Sequence, residues 1–223
     1  MEKIIVREIK IWLAALVIGL TMSLLIAYTR AYAENVQNEI ADNVIRFHVL
    51  ANSDSVEDQE LKNIVQKGIR ARFSKELGPH GSLEESRKTI LAGLDEIEHT
   101  AAKLVEKNGF DYPVKVALGR TFFPSVDYGD ISFPAGEYEA LRIIIGEGKG
   151  GNWWCVMFPP LCYLDAASPD SALSDLLSDD TYNLMNHSKN GAKVTVRFKV
   201  VEWWQERMNT PVYFANLPPN YAP

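Results

Sequence analysis

Cys155 and Cys162 are the two thiols of this 223-residue chain, seven positions apart with Pro159-Pro160 between them. A cysteine hydrolase needs a thiolate, a histidine that lowers its pKa and an open cleft. Cys155 with His48 or His187 as base is one such arrangement. The same pair also suits a disulfide. Its α-carbons would have to approach within about 6 Å, whereas seven extended steps separate them by roughly 23 Å. Pro159-Pro160 offers the reversal, and closing so small a ring contributes about 2.5 kcal/mol by the loop-entropy account. Two quiet buried thiols are the third reading.

The other chemistry-bearing stretches are weaker. Gly146-Glu147-Gly148-Lys149-Gly150-Gly151 lacks the spacing of a phosphate loop, and Glu147 would repel an anion. It reads as a flexible hairpin connection with Lys149 exposed. His48, His80, His99 and His187 are scattered, with no His-Glu-x-x-His. Asn52 to Asn63 starts like a calcium loop but has no glycine at position six and no closing glutamate. No metal and no cofactor is expected. His48, placed on the polar side of a strand, would titrate near neutral pH. In Trp153-Trp154 and Trp203-Trp204, adjacent strand residues point to opposite faces, so one indole of each pair is expected inside and one outside. An exposed tryptophan beside a glycine loop suits a protein contact, and core packing is the competing use.

The elements that must position these groups are legible from periodicity. Val44–Leu50 alternates, with Ile45, Phe47 and Val49 opposite Arg46 and His48. Ser55 with Asp58 forms a capping-box pattern ahead of a helix carrying Leu61, Ile64, Val65, Ile69, Phe73 and Leu77, which ends at Gly78-Pro79. Ser82 with Glu85 opens a second helix that runs to Gly109. Val114–Leu118 alternates, and Thr121–Tyr128, broken by Pro124, reads as a short edge or connecting segment. The stretch from Gly136 to Phe158 supplies two apolar strands. Ser168-Pro169 begins a third helix lined by Leu173, Leu176, Leu177, Leu184 and Met185. Lys193–Val201 alternates strictly as a strand with one wet face. The fold class is therefore α+β: one exported domain with a mixed or antiparallel sheet and about three helices, behind an N-terminal signal or anchor helix.

Lys3, Arg7 and Lys10 precede an uncharged run from Ile11 to Tyr28, and Ala31-Tyr32-Ala33 follows as a cleavage pattern. Residues 1–33 are a signal peptide or a membrane anchor, 34–207 the domain, and 208–223 a flexible tail. Membrane contact runs through residues 11–28 if the segment is uncleaved. Losing residues 1–33 removes four of the 23 basic and two of the 29 acidic residues, leaving 19 against 27 and a net charge of −8. Such a surface repels nucleic acid.

Two stretches together carry a family likeness: Ile45-Arg46-Phe47-His48-Val49-Leu50-Ala51-Asn52-Ser53-Asp54-Ser55, and the run from Pro134-Ala135-Gly136-Glu137-Tyr138 through Asn152-Trp153-Trp154-Cys155 to Phe158-Pro159-Pro160-Leu161-Cys162. With the export segment they resemble the stage II sporulation protein R family of endospore-forming bacteria. The resemblance implies a signalling protein made in the forespore and exported into the space between the two spore membranes. There it would activate a membrane-embedded aspartic protease of the mother cell, which cleaves the precursor of the mother-cell sigma factor. The family offers no established catalytic residues to carry over, so no enzyme activity is expected. The expected contact surface is Asn52, Asp54, Lys149, Asn152 and Trp153, at the ends of two strands placed as neighbours. The alternatives are an extracytoplasmic cysteine hydrolase acting on cell wall or peptide, and a structural component of the intermembrane assembly.

Overall fold

The computed structural model describes residues 2–73, 82–161 and 173–186, and the chain divides into two units, Met1–Glu39 and Ile40–Pro223. The first is built by helix α1 (Glu2–Asp42). Its span Ile9–Asp42 is, by length and composition, apolar enough to cross a membrane. Trp12, Leu16, Leu20 and Leu24 are all exposed on it, as expected of a helix that is apolar all round. The helix runs unbroken through Ala31–Ala33.

The second unit is α+β. Its elements are β1 (Ile45–Leu50), α2 (Val56–Phe73), α3 (Leu83–Ala92), α4 (Leu94–Lys107), β2 (Val114–Phe123), β3 (Val126–Tyr128), β4 (Ile131–Phe133), β5 (Gly136–Ile145), β6 (Asn152–Phe158) and α5 (Asp179–Met185). The main sheet is mixed, in the order β2-β5-β1-β6, and β3 and β4 form a separate hairpin. β1 runs parallel to β5 and antiparallel to β6. The expected hairpin across Gly146–Gly151 is therefore not formed. β1, apolar at every second residue and buried at its centre, lies between β5 and β6, and the connection has to pass the end of β1.

Ile45, Phe47 and Val49 pack with Leu61, Val65 and Ile69 of α2, Ile97, Ala101 and Val105 of α4, and Leu141, Ile143 and Ile145 of β5. These are the helical and strand stripes read from the sequence, now facing one another. Ser82 and Glu85 complete their capping box on α3. The single helix expected from Ser82 to Gly109 is instead two, because Gly93 leaves helical geometry at φ −97°, ψ 3° and serves both as the end of α3 and the start of α4. β2 continues unbroken to Phe123, since its register with β5 holds for all ten residues. Of the two readings of Thr121–Tyr128, the edge strand and not the connector holds for Thr121–Phe123. Ser178 caps α5. Leu173, Leu177 and Met185 are buried as expected, while Leu184 is exposed. The expected helix end at Gly78-Pro79, the Ser168-Pro169 start, the Lys193–Val201 strand, Trp203-Trp204 and the tail lie outside the described residues.

Candidate functional site

β1 and β5 are parallel neighbours, so their chains leave the sheet at the same end. Ala51–Ser55 after β1 and Gly146–Gly151 after β5 therefore meet, and they do so through backbone and side chain together. Lys149 N–H donates to the Asn52 carbonyl at 3.2 Å and Gly150 N–H to the Ala51 carbonyl at 3.0 Å. Glu147 N–H donates to Asn52 Oδ1 at 3.0 Å, and Gly151 N–H to Asp54 Oδ1 at 2.6 Å. The glycines are required by this approach. A Cβ on Gly150 would overlap the Ser53 carbonyl, and one on Gly146, whose φ is +59°, would overlap Asn52 Oδ1. The connection expected to be flexible is a clasp.

α2 braces the clasp from below. Asp58 accepts from Asn52 Nδ2 at 2.8 Å and from the Ser53 hydroxyl. The Ser55 hydroxyl accepts Asp58 N–H at 3.2 Å, which is half of the expected capping box. The Asp58 carboxylate spends its acceptors on the loop, not on the helix start. Burial alone would raise its pKa, but the hydrogen bonds from Ser53 and Asn52, with the Tyr112 hydroxyl behind them, hold it below the usual carboxylate value. Gln59 Nε2 donates to the Ser53 carbonyl at 2.9 Å. Lys62, almost fully buried, donates from Nζ to Gln59 Oε1 at 2.6 Å and to the Gly151 carbonyl at 3.2 Å. Desolvation lowers the Lys62 pKa, and Asp54 partly offsets it. Sequence reasoning missed Gln59 and Lys62. Their spacing with Asp58, one and four residues on, marks one polar face of α2 pointing at the loop.

Of the five expected contact residues, Asn52, Asp54 and Lys149 come together in the clasp. Asp54, Lys149 and Asn152 are exposed and Asn52 and Trp153 half-buried. Lys149 Nζ and Glu147 Oε2 stand 2.7 Å apart in solvent, which raises the lysine pKa and lowers that of the glutamate. Asn152 and Trp153 diverge because consecutive strand residues face opposite ways. Trp153 turns to the helix side, edge-on to Phe47 at 5.4 Å, with the Arg70 guanidinium 5.6 Å from its ring centre. Trp154 turns to the other side, against Phe123 at 4.6 Å. Both indoles are half-buried, so the expected division into one inside and one outside does not hold. Each lies across a covered face of the sheet.

The second sheet face is the largest departure from expectation. Arg46 and His48, read as the wet side of β1, are 0% and 4% exposed. The Arg46 guanidinium lies among the rings of Phe123, Phe133, Tyr138 and Tyr128 at 4.4–5.7 Å, donating from Nε to the Cys155 carbonyl at 3.1 Å and from an Nη to the Tyr128 hydroxyl at 3.2 Å. Burial pushes its pKa down. His48 donates from Nε2 to Asn152 Oδ1 at 2.9 Å, a tautomer assigned from the acceptor it meets. Burial, with Arg142 and Arg46 nearby, lowers its pKa to about 3 even though the Asn152 bond opposes this. It is a neutral ring at neutral pH, and the expectation of a near-neutral titration fails because β3, β4 and the aromatic rings cover the face.

Cys155 pairs with Phe47 in register and packs in the helix-side core, whereas His48 pairs with Trp154 on the opposite face. A Cys155–His48 dyad is thereby excluded. Cys162 and His187 lie outside the described residues.

The geometry defines a class: an α+β domain following a helix of membrane-spanning length, with two loops locked together at one end of a mixed sheet. The chain belongs to the stage II sporulation protein R family. The sequence profile of that family, described as Stage II sporulation protein R, matches residues 41–168. The chain is 38% identical over 171 residues to Stage II sporulation protein R of Bacillus subtilis (strain 168), covering 77% of this chain and 75% of that protein. No solved structure matches it. Membership supports a signalling role in sporulation, with a protein as the partner.

Proposed function

We propose that the protein is an exported signal of endospore formation that activates a membrane-embedded aspartic protease of the mother cell, which then processes the precursor of the mother-cell sigma factor. Family membership carries this reading. The apolar span of α1 is consistent with export or anchoring, and the working place is the space between forespore and mother cell. The protein acts by contact and not as an enzyme. Its contact surface is the clasp with its flank: Asp54, Lys149 and Asn152 outward, Asn52 and Trp153 holding them in place. A surface ordered before binding loses little conformational entropy on docking, which favours a rigid loop pair over a flexible one. A disulfide between Cys155 and Cys162 braces the end of β6.

Reconstitution of the full chain with the protease and the sigma-factor precursor tests the reading. Processing is expected with the wild-type chain and reduced with Lys149→Ala at unchanged thermal stability; Asp54→Ala and Asn152→Ala, which also remove the acceptors of Gly151 N–H and His48 Nε2–H, should reduce it when assayed well below each variant's melting point. A folded wild-type chain that binds the protease but leaves the precursor uncut would sink it. For the thiols, Cys155→Ser and Cys162→Ser are expected to impair the protein equally, because a disulfide is lost from either end. Two alkylatable thiols in the exported protein would refute the pairing.

A further inference from the structure

We infer that the outer edge of β2, from Leu118 to Phe122, receives an extended acidic segment of the protein partner as an added fifth strand. The inference deepens the reading above and rests on it for the partner. Among the described residues β2 is the outermost strand on its side of the sheet, and it pairs with β5 without a break from Val114 to Phe123. In an antiparallel ladder, alternate residues present both backbone groups to the same side. Val116 N–H points outward, because it donates to Glu98 Oε2 of α4 at 3.3 Å. Leu118, Arg120 and Phe122 therefore also point outward, and among the described residues their N–H groups have no acceptor. Glu98 supplies for Val116 what a neighbouring strand would supply, and nothing described continues the row beyond it. An open edge of this length is a template for strand addition.

The side chains along it state the chemistry of the occupant. Leu118 and Phe122 are half-buried on one face and Ala117 and Gly119 on the other, so an incoming strand meets apolar and small neighbours. β2 holds Lys115 and Arg120 and no acidic residue. Arg120 is exposed, and Glu139 beside it in register is occupied by Arg87, whose Nε reaches Glu139 Oε2 at 2.9 Å. Among the described residues Arg120 has no carboxylate partner, and it sits in the middle of the open row. A carboxylate on the added strand would complete it. A second copy of the chain is a poorer fit: it would set two such cationic strands against each other within two acidic molecules.

The test uses the full chain in detergent and the protease as probe, first by amide hydrogen exchange. In the free chain the amides of Leu118, Arg120 and Phe122 should exchange ahead of their inward neighbours Ala117, Gly119 and Thr121, and the complex should protect them. Protection already present in the free chain would overturn the inference: if independent of concentration, the edge is covered by the chain itself, and if concentration-dependent, by a second copy. The binding arm uses Arg120→Pro, which removes one outward N–H at a place an edge strand tolerates, and Arg120→Glu, which keeps the backbone and reverses the charge. Each should weaken binding roughly tenfold or more. Wild-type binding with both variants unaffected overturns the edge and leaves the partner standing. No wild-type binding at all overturns the partner, and the inference with it.

Discussion

The imidazole of His48 lies flat on the indole of Trp154, ring centres 3.8 Å apart and planes 15° from parallel, where β1 and β6 bring the two residues into register. The stack seals a histidine into the second face of the sheet as a neutral ring. Its folded pKa of about 3 is below the ordinary value of 6.5, so the unfolded chain binds the extra proton first as the pH falls. The stability contributed by neutral His48 is fully present above pH 6.5 and is lost on the way down toward pH 3. Where the two states differ by one proton, the slope is about 1.4 kcal/mol per pH unit. We expect His48→Gln to flatten the acid limb between pH 6.5 and the carboxylate range, with a smaller effect at neutral pH. Denaturant melts over that window check it, and parallel curves for the two proteins would show that the ring titrates normally. Asp58, whose pKa is lowered, adds a separate loss only further down, as the pH falls below the ordinary carboxylate value toward its folded pKa.

Gly150 is the tightest point of the clasp. Alanine there must displace the Ser53 carbonyl and strain the Gly150 N–H bond to Ala51. The cost should be about 1–3 kcal/mol by the overpacking range, and protection of the Lys149 and Gly151 amides should fall with it. An alanine variant with wild-type stability and unchanged exchange at those amides would mean that the two loops are not held together in solution.

Trp153 has a packing role in the structure and, in the proposed function, a recognition role as well. Its ring fills space against Phe47 and beneath Arg70, so Trp153→Ala should destabilise by about 2–3 kcal/mol, less than a fully buried aromatic. Trp153→Phe should recover most of that stability. Protease activation measured well below each variant's melting point separates the two roles. Activity restored by phenylalanine in step with stability would assign the indole to packing alone.

Much of this molecule is written in local periodicity. The alternation of Ile45, Phe47 and Val49, the stripes of Leu61 to Ile69 and of Ile97 to Val105, and the Ser82–Glu85 box each depend on neighbours within a few residues, because strand and helix geometry fix which side chains share a face. The long apolar run near the start is equally plain, since composition and length alone decide what can enter a membrane. Local pattern does not say what lies on the far side of a strand. Arg46 and His48 alternate as a solvent face would, yet Phe123 packs against both and Tyr128, Phe133 and Tyr138 close over Arg46, all of them 75 or more residues further along the chain. The insertion of β1 between β5 and β6 was likewise settled only by tertiary pairing, and it turned a presumed hairpin into a clasp. Gln59 and Lys62 acquired their roles only when that pairing carried Ser53 and Gly151 to the start of α2. Backbone geometry sets each segment's period; the burial of a polar face depends on partners that the chain brings near only by folding.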